Sequence, residues 1–271
     1  ILDRLRIPAA AMPTIVASSG ELGRATALDG APPICGVAGD QQASLVGQGC
    51  VRPGMAKATF GTGAMLDVCL GPTPPQSAQR SPAGTFPIVC WQRGDEVVYG
   101  IEAIMLSAGT NVQWLRDDLG IIDSAEHSAE VAAACADTGG VVYVPAQLGL
   151  GTPRWDYGAR GLLIGLTRGT GRPEVVRAVL EGVAERGADL LAAAEADAGT
   201  TIERLRIDGG MSANPVFRQA LADATQRVIE VAPDKEATSL GAAFLAGLAV
   251  GTWSSWEDVE TAWAPAAVVQ P

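Results

Sequence analysis

Histidine is almost missing from this sequence: of 271 residues, His127 alone carries an imidazole. A Ser-His-Asp triad, a Cys-His dyad and a His-ligated metal all lack their central group. His127 itself, in the polar stretch Asp123 to His127, reads as an exposed helix residue. Lysine is nearly as scarce, with Lys57 and Lys235 alone, and the formal net charge is -11. Such a chain repels polyanions and has no run of cations to neutralise a phosphate backbone, so no nucleic acid partner is expected. A nucleotide would have to be held by backbone N–H groups and a divalent cation. The five cysteines are dispersed with no C-x-x-C pair, which points away from a disulfide framework or a zinc site and fits a reducing cytoplasm. No apolar run nears the roughly 20 residues that span a bilayer, and no basic-then-apolar leader opens the chain, so no membrane association is expected. The P-loop and the G-x-G-x-x-G fingerprint are both missing as well.

A 48% hydrophobic content over this length can build one large core, or a full domain plus part of another. The first residue is Ile, and Ile1 to Ile7 read as the middle of an amphipathic segment, as expected of a fragment or processed product. Residues 1–33, broken by Pro8, Pro13, Gly20, Gly23, Gly30, Pro32 and Pro33, read as a connector without a core element. Strand Ile34–Ala38, a turn at Gly39-Asp40 and a helix over Gln41–Gln48 follow. The texture then becomes β: Ala56–Phe60, Ala64–Leu70, Phe86–Gln92 and Val97–Glu102, with a hairpin at Gly94-Asp95. Helices are predicted over Ala103–Leu119 and Ser124–Cys135. Strands Val141–Val144 and Leu162–Leu166 flank a long Gly, Pro and Trp loop, and loops of that length inside a domain are usually functional. The strongest helical pattern starts behind Pro173, places Val176, Val179, Leu180, Val183, Leu190 and Leu191 on one face, and stops at Gly199. Strand Leu205–Ile207, helix Pro215–Gln226, strand Val228–Val231 and helix Ser239–Leu248 alternate as in an α/β layer. Trp253 to Trp263 reads as a last amphipathic helix, and the tail carries little information.

Three glycine-rich stretches stand at strand ends or turns: Phe60-Gly61-Thr62-Gly63, Ser107-Ala108-Gly109 and Asp208-Gly209-Gly210-Met211-Ser212. Without Cβ atoms, backbone N–H groups there can approach an anion or a flat ring, although each is also explained by turn chemistry. Asp40 lies between a Gly-terminated strand and a helix start, where α/β sheets gather reacting groups. It can serve as a helix N-cap or accept the proton of a hydroxyl that attacks a γ-phosphate. Spacing alone does not choose between the two.

Gly36-Val37-Ala38-Gly39-Asp40-Gln41-Gln42-Ala43 followed by Lys57-Ala58-Thr59-Phe60-Gly61-Thr62-Gly63 resembles the glycerol kinase branch of the FGGY carbohydrate kinases. Gly149 to Asp156, Gly161 through Glu181, Asp208 to Asn214 and Glu236 to Ala243 extend the resemblance to roughly residues 1–252. It implies an α/β, actin/hexokinase-like (ribonuclease H-like) ATPase lobe, a mixed sheet flanked by helices, plus the C-terminal remnant of a substrate lobe. On that pattern residues 1–51 end the N-terminal substrate lobe and hinge, and 52–271 form the C-terminal ATP-binding lobe. The resemblance further implies ATP and Mg²⁺ as cofactors, a small-molecule polyol or sugar as substrate, and Asp40 as general base. Gln41 and Met65 would join Asp40 at the substrate. Gly61, Thr62 and Gly63 would form the phosphate hairpin, Gly109 and Gln113 would border the nucleotide, and Gly210, Met211 and Asn214 would hold adenine and ribose. The metal ligands are left open, as is assembly into a homo-oligomer. Two departures stand out: the N-terminal lobe that grips the polyol is missing, and Met65 stands where that branch usually has Phe. The isolated chain is therefore expected to be inactive alone. The rival reading is a catalytically silent half that binds a nucleotide or a partner lobe through an exposed apolar patch.

Overall fold

The computed structural model describes every residue except Ser77 and Lys235. In chain order the elements are α1 (Leu2–Leu5), β1 (Ser19–Arg24), β2 (Pro33–Gly36), α2 (Asp40–Gly47), β3 (Ala56–Phe60), β4 (Ala64–Gly71), β5 (Phe86–Arg93), β6 (Glu96–Met105), α3 (Gly109–Asp117), α4 (His127–Ala133), β7 (Val142–Val144), β8 (Leu162–Ile164), α5 (Arg172–Ala198), β9 (Arg204–Asp208), α6 (Pro215–Thr225), β10 (Val228–Val231), α7 (Ala237–Val250), α8 (Trp256–Thr261) and β11 (Ala267–Val269). Nine strands form one mixed sheet in the order β11-β10-β9-β3-β4-β6-β5-β1-β2, and β7 pairs with β8 apart from it. Strands β3, β4, β6 and β5 run antiparallel in turn, while β9 is parallel to β3 and β10 to β9. The α/β class expected from the sequence is what forms. Among the described residues no helix is long and apolar enough to cross a membrane.

The sheet buries two unlike faces. On one, Ala58, Phe60, Leu66, Ala103, Leu205 and Ile207 pack against Val176, Val179, Leu180 and Val183 of α5. That helix is held at its start by Gly171 N–H donating to Glu174 Oε2 at 2.8 Å, the glutamate half of a capping box, and it ends at Gly199 with φ +64°, an αL stop. On the other face, Leu45, Val46, Cys69, Trp91, Phe244 and Leu245 join α2 and α7 to the sheet. These two helices touch through glycine: a Cβ on Gly241 would collide with the Ala43 carbonyl, and one on Gly47 with the Ala237 carbonyl.

Several boundaries differ from the sequence reading. Residues 1–33 do supply a sheet element, because Ser18 N–H donates to Gln92 O at 2.8 Å and β1 pairs with β2 and, at Ser19↔Arg93, with β5. The helix expected from Ala103 begins at Gly109, since β6 stays on the β4 ladder through Met105. The last helix is confined to α8, where Ser255 Oγ accepts Asp258 N–H at 3.2 Å and sets its start. The tail adds β11 antiparallel to β10. His127 is half-buried rather than exposed, and its Nδ1 accepts the Asp123 N–H at 3.1 Å. Cys35, Cys50, Cys69 and Cys90 are buried free thiols, and Cys135 is free and half-buried.

Candidate active site

Strands β2, β3, β6 and β9 all point the same way, as the pairings along the sheet require. Their carboxyl ends therefore share one edge. From that edge come Asp40 after β2, the Gly61-Thr62-Gly63 turn after β3, Ser107 to Gly109 after β6, and Gly209 to Asn214 after β9. The carboxyl edge of an α/β sheet is where ligands gather, because loops leaving there are free of the sheet's own hydrogen bonds.

The glycine motifs build one cleft of about 330 Å³. The 61–63 turn is pinned by Gly109 N–H donating to Gly61 O at 2.8 Å and Ala108 N–H to Thr62 O at 2.9 Å. A Cβ at Gly109 would lie 2.6 Å from Gly61 O, so only glycine allows this approach. Opposite, Gly209 turns the chain out of β9 with φ +85°, and a Cβ there would sit 2.5 Å from Phe60 O. Asn214 then starts α6: its Oδ1 accepts Val216 N–H at 2.9 Å and Phe217 N–H at 3.2 Å, while Nδ2 donates to Ser128 Oγ of α4 at 3.1 Å. Gly61, Thr62, Gly109, Gln113, Gly210, Met211 and Asn214 all line the cleft, with Phe60 and Leu180 as apolar wall. Gly63 does not line it; it sits behind the turn, where a Cβ would meet Met105 O at 2.6 Å. Arg116 and Ser128 also line the cleft, and the sequence reading had not singled them out. An apolar wall, glycine-lined backbone and a few polar tips fit a nucleotide.

Asp40 is the exposed first residue of α2. Its Oδ1 accepts Gln41 N–H at 2.9 Å, and its carbonyl accepts Thr238 Oγ1–H from α7 at 3.3 Å. Behind it lies a polar network centred on Lys57, a side chain with no solvent exposure. The ammonium donates to Gln41 Oε1 at 2.6 Å and Thr59 Oγ1 at 3.1 Å, and pairs with Asp67 Oδ2 at 2.7 Å. Two hydrogen-bond acceptors and one counter-charge thus surround the ammonium, which is what lets a cation remain buried. Thr59 lies 3.4 Å from Ser44 Oγ, which donates to Asp208 Oδ2 at 3.0 Å. Met65 is the register partner of Thr59 on the same face, half-buried beside this network.

Register explains why these groups meet. Glu230, Arg206, Lys57, Asp67 and Glu102 are consecutive partners across β10, β9, β3, β4 and β6, a row of charge over five strands with like charges adjacent at Arg206–Lys57 and Asp67–Glu102. Burial pushes the Asp67 carboxyl up, with Lys57 opposing. Burial, and next the neighbouring Asp67, pushes Glu102 up to about 7. Sequence reading missed Asp67, Glu102 and Ser44 as site neighbours. The one visible signal was an acid in the middle of the apolar strand Ala64–Leu70. Among the described residues no group of three or more His, Cys, Asp or Glu side chains comes together to hold a metal ion.

The C-terminal domain profile of the FGGY family of carbohydrate kinases matches residues 56–250, and the chain belongs to that family. Glycerol kinase of Alkalilimnicola ehrlichii is 46% identical over 265 residues, 97% of this chain and 52% of that protein. Glycerol kinase 2 of Thermotoga maritima is 44% identical over 266 residues, 97% and 53% of the two chains. Among solved structures, glycerol kinase of Plasmodium falciparum with ADP superposes with TM-score 0.88 at 33% identity, covering 99% of this chain and 54% of that one. The chain spans about half the length of the curated relatives it matches.

Proposed function

We propose that this chain is the ATP-binding portion of a kinase that transfers the γ-phosphoryl group of ATP to a hydroxyl of a polyol or sugar. The carrying observation is the shared edge: a carboxylate on a helix start and a glycine-walled cleft leave the same ends of β2, β3, β6 and β9. In this reading residues 52–271 form the nucleotide lobe and 1–51 the end of the substrate lobe. Gly61, Thr62, Gly63, Gly109, Gln113, Gly210, Met211 and Asn214 hold the nucleotide, and Asp40, Gln41 and Met65 face the alcohol. Asp40 takes the hydroxyl proton as that oxygen forms its bond to phosphorus and the bond to the ADP oxygen breaks, a reaction governed by positioning and charge. Mg²⁺ bound together with ATP would offset the charge of the phosphates.

Kinase relatives of about twice this length support a requirement for the second lobe. In the complete two-lobed protein, Asp40→Asn should lower kcat by several decades with ADP affinity unchanged, and full activity in that variant refutes the role. A second reading, a silent half that binds nucleotide or a partner lobe, is favoured by the exposed apolar side chains Ile1, Leu5, Met12 and Ile15. Phosphotransfer by the two-lobed protein eliminates it.

A further inference from the structure

Cys69 and Cys90 sit on the two strands that flank β6, and the residue between them is Gly100. Cys69 is the register partner of Gly100. Cys90 is the extra residue of a bulge in β5, where Val89 pairs with Tyr99 and Trp91 already with Val98. Opposed Cβ positions on antiparallel strands lie about 5 Å apart, and Cys90 Sγ lies 2.5 Å from the place a Gly100 Cβ would take. The sulfur thus uses the space that glycine leaves and meets Cys69. Cys90 S–H donates to the Cys69 sulfur, which also accepts the Gly71 N–H; the shared bond pushes the Cys90 thiol well up and, with burial opposing, brings Cys69 down. Both side chains are buried among Leu45, Trp91, Val98 and Phe244. Phosphotransfer gives this pair no task.

We infer that Cys69 and Cys90 form a two-coordinate site for a soft monovalent cation, Cu(I). A proton shared between two sulfurs marks the place where a linear S–Cu–S unit fits, and thiolates select Cu(I) over harder ions. Zinc would need four ligands, and among the described residues no group of three or more His, Cys, Asp or Glu side chains gathers here. Cys50, the third thiol of this core, is turned to its own helix end, where its Sγ–H donates to Gln48 O at 3.8 Å. Cu(I) forms one bond to each sulfur, and the S–H protons leave to water. From the form with Cys69 ionised, one proton is exchanged for one singly charged cation, so the buried charge is unchanged. Entry is by local opening at the β5 bulge, where the ladder is already interrupted. The site is independent of the kinase reading.

The test uses the reduced 271-residue chain, kept free of oxygen, titrated with Cu(I) buffered by bicinchoninate, desalted and assayed for copper. The chain should retain about one copper, with X-ray absorption showing a shell of two sulfurs. Cys69→Ala and Cys90→Ala should each retain roughly tenfold less. Cys135→Ala, which removes the half-buried thiol outside this core, should retain as much as the parent. Copper kept by either core variant, or lost with Cys135, overturns the inference. Should a core variant fail to fold, the parent alone decides: a shell of three or four sulfurs, any nitrogen or oxygen ligand, or elution without copper refutes the site.

Discussion

Lys57 and Asp67 face each other across β3 and β4 in a 2.7 Å ion pair in which neither side chain reaches solvent. Removing one partner of such a pair strands a buried charge and costs about 3 to 5 kcal/mol, whereas replacing both with apolar groups is often near neutral. Lys57→Met and Asp67→Leu should each lower the unfolding free energy by that amount, and the double variant should recover most of it. Urea unfolding of the four proteins provides the cycle, and strictly additive losses contradict the pairing.

Glu102 makes the fold lose stability as pH rises toward neutrality. Its carboxyl is pushed up from 4.5 to about 7, by burial first and Asp67 second. A group whose folded pKa is raised holds its proton more tightly in the folded state, so its contribution is full below about 4.5 and is lost as pH rises to about 7. Relative to Glu102→Gln, the protein should lose on the order of 1 to 2 kcal/mol between pH 5 and pH 8, allowing for screening of a half-buried group. An equal change in unfolding free energy between pH 5 and pH 8 for the two proteins, taken from urea titrations, refutes the assignment.

Asn214 serves the helix with one atom and the cleft with another. Asn214→Asp keeps the oxygen that caps α6 but loses the N–H donated to Ser128, so stability should stay within about 0.5 kcal/mol while ADP binding weakens several-fold. Asn214→Ala should lose the cap too, at about 1 kcal/mol. Thermal unfolding paired with ADP titration separates the two roles.

Gly109→Ala drives a methyl group to 2.6 Å from Gly61 O, and the backbone of the 61–63 turn has to move. The expected outcome is an ADP affinity about tenfold weaker, with 1 to 3 kcal/mol of stability lost to overpacking. Gly23→Ala, where nothing lies within 4 Å of the added carbon, is the control and should match the parent in both measurements.

Much of this architecture could be read directly from residue patterns. The alternation around α5, β9, α6, β10 and α7 follows from apolar periodicity that agrees with local propensity, and Gly199 marks an end that any chain with that residue would favour. What escaped was decided by neighbours far away in sequence. β1 contains Gly20 and Gly23 and has no period-two pattern; it is a strand because β2 and β5 present unpaired backbone beside it. Ala103 to Met105 suits a strand or a helix equally, and the ladder to β4 settles the matter. β11 exists because β10 would otherwise leave an open edge. In the site, the glycine stretches announced themselves through composition, while Asp67 and Glu102 met Lys57 only through strand register, which no local window contains.

The glycine contact between α2 and α7 sets the mechanics of Asp40. With Gly47 and Gly241 bringing the two backbones together, and Thr238 fastened to the Asp40 carbonyl, α2 cannot slide or roll without carrying α7 along. The carboxylate is mounted on a two-helix block rather than on a single pliant segment. Its aim is therefore tuned by residues nearly two hundred positions downstream, and a bulky replacement at Gly241 would disturb Asp40 as surely as one in the first turn of its own helix.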